Sequence, residues 1–284
     1  MTRRAWFYFW AVGIIWGMPY LMIRIAVETL DPLIIAGGRT LIGSLILLPV
    51  AMHRKALAPA FRHWPALIAF TLVEISGPWL LIGHAETRVN SSTTGLLLAM
   101  VPLFAAILVA WLGHEHLERR RILGLAIGFA GVATIAGLDV RASDWIAVAA
   151  IALAALGYAV GPIIINRRLK DAPTLGVITG SLILATLIYA PFAVFLWPSH
   201  TTAGAIASVV GLGVICTATA FLFFFALIAE AGPARATVIA YVNPVVAVIL
   251  GVMFLDEPFT IAMVVGATLV IVGSILATHR AAVR

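Results

Sequence analysis

Apolar residues along this chain come in long, nearly unbroken runs separated by short polar punctuation. A helix needs about 20 such residues to cross a hydrocarbon core about 30 Å thick. Ten runs meet that requirement: 5–26, 32–51, 65–84, 91–112, 121–138, 145–165, 174–196, 202–228, 234–254 and 259–278. The longest connection, 52–64, is 13 residues and carries His53, Arg54, Lys55, Arg62 and His63. Little chain remains for a soluble domain. The expected fold is an all-α membrane protein of ten transmembrane helices.

Composition agrees with the pattern. Hydrophobic residues make up 63% of the 284 and charged residues only 11%, against about a quarter in soluble domains. Mean hydropathy is +1.11. A cytosolic enzyme, a disulfide scaffold (Cys216 is the lone cysteine) and a disordered chain are excluded. The formal charge of +6 is spread between apolar runs, so it points to topology rather than to nucleic acid. With the N-terminus placed inside, fourteen of the eighteen Lys and Arg fall on the cytoplasmic side. Arg88 and Arg141 fall opposite, and Arg24 and Arg39 lie within spans. That bias predicts cytoplasmic N- and C-termini. The first span, about 22 residues long, is too long for a cleaved signal core and stays as a helix.

Shifting the sequence by 142 positions aligns Pro102 with Pro244, Glu115 with Glu257, Gly124 with Gly266 and Gly131 with Gly273. Pro49 falls on Pro191, and Trp16 on Tyr158. The chain therefore divides into 1–142 and 143–284, two five-helix units. Five being odd, the second unit enters the membrane inverted. Arg119, Arg120 and Arg121 accordingly map onto the uncharged Ile261, Ala262 and Met263. Inverted repeats suit alternating access, with a substrate site near the midplane between the repeats.

Trp16-Gly17, Arg39, the series from Pro102 through Glu115 to Gly124 and Gly131, and its copy from Pro244 through Glu257-Pro258 to Gly266 and Gly273 resemble the drug/metabolite transporter superfamily. Within it they resemble the EamA-like ten-helix exporters. The resemblance covers nearly the whole chain. It implies export of amino acids, other small metabolites or toxic organic cations through a cavity lined by both repeats. The second copy departs from it with Ala159 where a Trp-Gly pair would put glycine, and Asn166 stands opposite Arg24.

Single residues sharpen the expectation. Glu74 falls near the middle of the third span, where a carboxylate faces a cavity or a partner. It is read as a contact for a substrate amine or as a proton carrier, with an ion pair to Arg39 as the structural alternative. Its repeat copy is Cys216. Trp16, Trp79, Tyr158 and Tyr241 are mid-span aromatics suited to stacking on a substrate or shielding a cation. Asn243 is a mid-membrane amide suited to substrate or to an interhelical bond. Pro19, Pro102, Pro162 and Pro244 are hinge candidates, because proline removes a backbone donor and frees a carbonyl. Trp6, Trp10, Trp64, Trp111, Trp145 and Trp197 read as the interfacial aromatic belt. Arg24, near the end of the first span, reads as a snorkelling side chain.

Other classes fit less well. No Walker loop is present for an ATP-driven pump. A metal site at His114, Glu115 and His116 lacks helical ligand spacing, so neither metal nor cofactor is expected. Glu257, just before Pro258, is read as serving helix N-terminal amides. An intramembrane enzyme would pair Glu74 with His84, but their ten-residue separation is a rise of about 15 Å. A passive channel would not need the kinked, aromatic-lined cavity, and a nucleotide-sugar carrier would need more central Lys and Arg. The reading is an inner-membrane exporter, amino acids first and organic cations second, with no catalytic residues. Its partners are a small-molecule substrate and the lipid bilayer, not nucleic acid. The glycines of the fifth and tenth spans are packing residues, and those two helices offer a surface for a homodimer.

Overall fold

Residues 1–112, 119–139, 144–232 and 236–278 are described by a computed structural model. Its spanning helices are α1 (Arg3–Ala26), α2 (Pro32–His53), α3 (Trp64–Glu86), α4 (Ser91–Trp111) and α5 (Arg119–Gly137), then α6 (Trp145–Arg168), α7 (Thr174–Leu196), α8 (Ala203–Ala231), α9 (Val238–Leu255) and the shorter α10 (Ile261–Ala277). This is a ten-helix, all-α, multi-pass membrane protein. Its surface is apolar in the way lipid requires, with Phe195 84% and Ile261 83% exposed. All six belt tryptophans are exposed as well. Glu115, His114 and His116 lie outside the described residues.

Several spans are broken, and the breaks have local causes. Pro19, Pro102 and Pro244 each occupy the first turn of a new helical segment, beginning at Pro19, Val101 and Asn243. There the missing N–H costs nothing, because first-turn amides have no intrahelical partner. In α9 the segment before Pro244 is a 3₁₀ turn, Thr237–Tyr241. Pro162 behaves differently. It sits exposed inside an uninterrupted α6, so the sequence expectation of a fourth hinge does not hold as a helix break. Two further irregularities carry no proline at their centre: π-helical turns at Thr71–Ser76 in α3 and Val214–Thr219 in α8.

The helices pair in a regular scheme. α2 packs on α7, α4 on α9 and α5 on α10, while α3 packs on α6 and α8 on α1. Exchanging each helix for its counterpart five further along returns the same pairings. The two π turns are counterparts in this sense, and so are the breaks in α4 and α9. The break in α1 has no counterpart in α6.

Small residues set the closest approaches. A Cβ added to Gly273 would stand 2.3 Å from the Gly128 backbone nitrogen, and one on Gly131 would stand 2.7 Å from the Gly266 oxygen. The glycines seven apart in α5 and α10 thus bring these two backbones together within one chain. On α1, Gly13 and Gly17 receive Val242 and Val246 of α9. Contacts between helix ends sort into two groups. Thr2 meets Glu230 and Gly176 meets Ala56 at one end. Arg24 meets Glu86, Thr29 meets Thr201, and Ser91 and Ser92 meet Glu257 at the other.

Candidate functional site

The breaks and the π turn of α3 converge on a cavity of about 290 Å³, close to the lower end of the roughly 300–1,000 Å³ usual for ligand pockets. Its wall draws on α1, α2, α3, α4, α6, α8 and α9. Of the residues singled out from sequence, Trp16, Glu74, Trp79, Tyr158 and Asn243 lie in this wall, with Pro19, Pro102 and Pro244. Tyr241 is half-buried outside it, and its neighbour Ala240 takes the wall position. Pro162 is also outside it. Among the wall residues that sequence reasoning left off its site are Tyr20, Arg39 and Phe221.

Glu74 belongs to the π turn of α3. A π turn inserts one residue into the helix and re-aims the side chains around it. Room for the carboxylate comes from α6, where Gly161 lacks a side chain: an added Cβ would collide with Glu74 Oε2. One turn earlier, a Cβ on Gly157 would lie 2.4 Å from the Val73 carbonyl oxygen. Glu74 Oε2 is buried and has no hydrogen-bond partner among the described residues.

Arg39 is engaged elsewhere. Its guanidinium carbon lies 3.6 Å from the centroid of the Trp79 ring, a close cation–π contact. Its Nε donates to Thr217 Oγ1 at 2.9 Å, and that hydroxyl donates to the Leu212 carbonyl at 2.8 Å. Arg39 therefore holds the π turn of α8 through a threonine. On the other side, the Tyr189 hydroxyl of α7 donates to the Ser76 carbonyl at 2.6 Å, so each π turn is held by a helix from the opposite half.

Aromatic rings close much of the remaining wall. Trp16 meets Phe221 edge-on, with centroids 5.8 Å apart, and meets Phe224 at 4.8 Å. Trp79 is buried, and Tyr158 packs beside the same cluster. Asn243 takes an interhelical role. With its amide nitrogen donating, it reaches the Gly13 carbonyl at 3.0 Å and the Ile239 carbonyl at 3.2 Å. It thereby ties α1 to the 3₁₀ turn. His84 is exposed beside the Leu80 carbonyl, away from this wall.

Glu257 also departs from its expected place. Its carboxylate accepts from the Ser91 and Ser92 amides at 2.8 and 2.9 Å, and from both serine hydroxyls. It serves helix N-terminal amides, as expected, but those of α4 rather than of the helix that follows it.

Similar proteins place the chain. The profile of the EamA-like transporter family matches residues 3–137 and again 145–278. The inner membrane transporter YedA of Escherichia coli K12 is 30% identical over 85% of this chain and 79% of its own length. The transporter YvbV of Bacillus subtilis is 26% identical over 91% of this chain and 86% of its own. A protein of Streptantibioticus cattleyicolor, named a "probable terminal-alkyne amino-acid exporter", is 24% identical, covering 93% and 90%. One solved structure, 20% identical, shares the fold with a TM-score of 0.70 over 96% of both chains. The chain is a membrane transporter belonging to the EamA-like transporter family.

Proposed function

We propose that this protein exports small zwitterionic metabolites, amino acids foremost, across the inner membrane by alternating access. The observation that carries the reading is Glu74: its Oε2 is buried without a hydrogen-bond partner among the described residues, in the wall of a cavity that also presents Arg39 and several aromatic rings. A substrate amine would supply the missing donor, and a wall bearing both signs of charge suits a zwitterion better than a plain cation. The cavity volume suits a small molecule. A relative named as an amino-acid exporter supports the same class, and organic cations remain the second reading because of Glu74 and its aromatic neighbours. The same wall holds Glu74 but not the exposed His84, which favours transport over catalysis.

The reading includes two inverted repeats, 1–142 and 143–284, supported by the exchange of helix pairings described above. It also places both termini in the cytoplasm, on the distribution of Lys and Arg. The end that carries Glu257 then faces outward. A homodimer through α5 and α10 would use their outer faces, since their glycines pack against each other.

Purified protein in liposomes tests the function. Labelled amino acids and organic cations are offered with and without an imposed pH gradient. Saturable, trans-stimulated amino-acid flux is expected. Flux of organic cations alone would move the substrate class, and unsaturable flux would indicate a channel. For topology, reporters at Arg284 and within 52–64 should fall on one side and a reporter near Asp139 on the other.

A further inference from the structure

The cavity leaves one buried acid unexplained. Glu86 ends α3 at the Glu257 end of the protein, is 0% exposed, and has neither carboxylate oxygen hydrogen-bonded among the described residues. It is not part of the cavity wall. An arginine is at hand, yet Arg24 Nη1 donates to the main-chain carbonyl of Glu86 at 2.7 Å rather than to its side chain. An ionised carboxylate in a dry site would draw that guanidinium to itself, because a buried unpaired charge is among the costliest arrangements in a protein. Glu257 cannot help. Both its oxygens are taken by Ser91 and Ser92, and its negative charge lies close enough to act on Glu86, as does that of Arg24 with opposite sign.

The other charged groups near this end are committed or exposed. Asp31 caps α2 through the Leu33 amide. His84 and Arg88, beside Glu86 on its own segment, are exposed. α9 contributes no charged residue, and α6 begins after Asp144. Tyr20 of α1 is the titratable group of the cavity wall that the charge of Glu86 reaches.

We propose that Glu86 is a proton-binding site, filled while this end of the protein is closed and emptied when it opens. On opening, water reaches the carboxyl group, its O–H bond breaks, and the proton passes to solvent on that side. Arg24 then turns from the Glu86 carbonyl to the carboxylate. On closing, one proton returns and Arg24 goes back to the main chain. Since the closed arrangement binds the proton more tightly, acid on that side favours closure. The switch goes beyond the transport reading and depends on it only for what opening means.

The test uses the full chain in lipid nanodiscs, with spin labels at Arg88→Cys and Phe259→Cys in a Cys216→Ala background. Both label positions are exposed. The short-distance population should grow as pH falls from about 8 to about 5, across the range in which buried carboxyls titrate. In Glu86→Gln the short population should persist at every pH. A pH-independent wild type, or an unaltered titration in Glu86→Gln, would overturn the proposal. So would a distance that follows sodium replaced by choline at fixed pH, since sodium would then be the occupant. If Glu86→Gln does not fold, infrared spectra of Glu74→Gln decide. That variant lacks Glu74, the other acid among the described residues with a buried, unpartnered oxygen, so a protonated carboxyl band should remain at neutral pH, and its absence overturns the site. The infrared reading involves no transport, so its failure is distinct from failure of the exporter assignment.

Discussion

Arg39 and Thr217, 178 positions apart, are joined by a 2.9 Å hydrogen bond between Nε and Oγ1, and this bond couples the cavity wall to the π turn of α8. Thr217 passes the connection on to the Leu212 carbonyl, just ahead of the π turn. Tyr189 does the equivalent for α3 at the Ser76 carbonyl. A ligand that moves Arg39 therefore pulls on a helix of the other half.

Thr217→Val keeps the shape and removes the link. A hydrogen bond to a charged group is worth about 1.5–3 kcal/mol, so the melting temperature in detergent should fall and transport should slow. Serine, which retains the hydroxyl, should recover most of both. Equal behaviour of the valine and serine variants would mean that the bond carries nothing.

Glu74→Gln keeps size but removes charge. If the carboxylate meets the substrate amine, loss of a contact worth about 1.5–3 kcal/mol weakens binding roughly ten- to hundredfold. Calorimetric or flux-based affinity for an amino acid checks this. Binding that survives while the effect of a pH gradient disappears would make Glu74 a proton carrier instead.

Gly161→Ala probes the same carboxylate from the opposite helix. The new methyl collides with Glu74 Oε2 and stands 3.1 Å from its Cβ. Overpacking of this kind costs about 1–3 kcal/mol. Removing the carboxylate with Glu74→Ala should absorb much of that cost, so the double variant should melt higher than the sum of single effects predicts. Additive losses would place the strain elsewhere.

Glu257→Gln tests the far end. It weakens the four contacts to Ser91 and Ser92 without touching the cavity wall. Stability should drop by about 1–3 kcal/mol, while equilibrium substrate affinity stays close to wild type. A large affinity loss would show that the cap of α4 sets the site geometry.

Pro102→Ala and Pro244→Ala restore a donor where each new helical segment begins. Continuous α4 or α9 should exchange more slowly between access states, so turnover should fall more than equilibrium affinity. Unchanged turnover in both variants would leave these prolines as packing features.

What the sequence made legible was mainly what costs free energy in lipid. Glu74 and Arg39 stand out because charge within a span demands a reason, and Pro19, Pro102 and Pro244 because a helix must restart at them. The π turns carry no such mark: Thr71–Ser76 contains nothing that forbids an ordinary helix, and its conformation depends on Tyr189 and on α6 packing close. Tyr241 is a site candidate by its mid-span place among the aromatics, whereas a 3₁₀ turn has three residues per turn and presents Ala240 instead. Pro162 signalled a break, but α6 runs on with the ring exposed. Glu257 announced its chemistry and not its address, since Ser91 is 166 positions away.

α1 breaks at Met18, while its counterpart α6 runs unbroken from Trp145 to Arg168. Two identical halves would make the two access states degenerate, each the mirror of the other with equal free energy. Here the halves cannot trade roles without remainder, because one carries a helix break that the other lacks. Under the alternating-access reading the empty protein then has a preferred resting side, and a gradient that drove a cycle would work against that built-in offset in one direction and with it in the other.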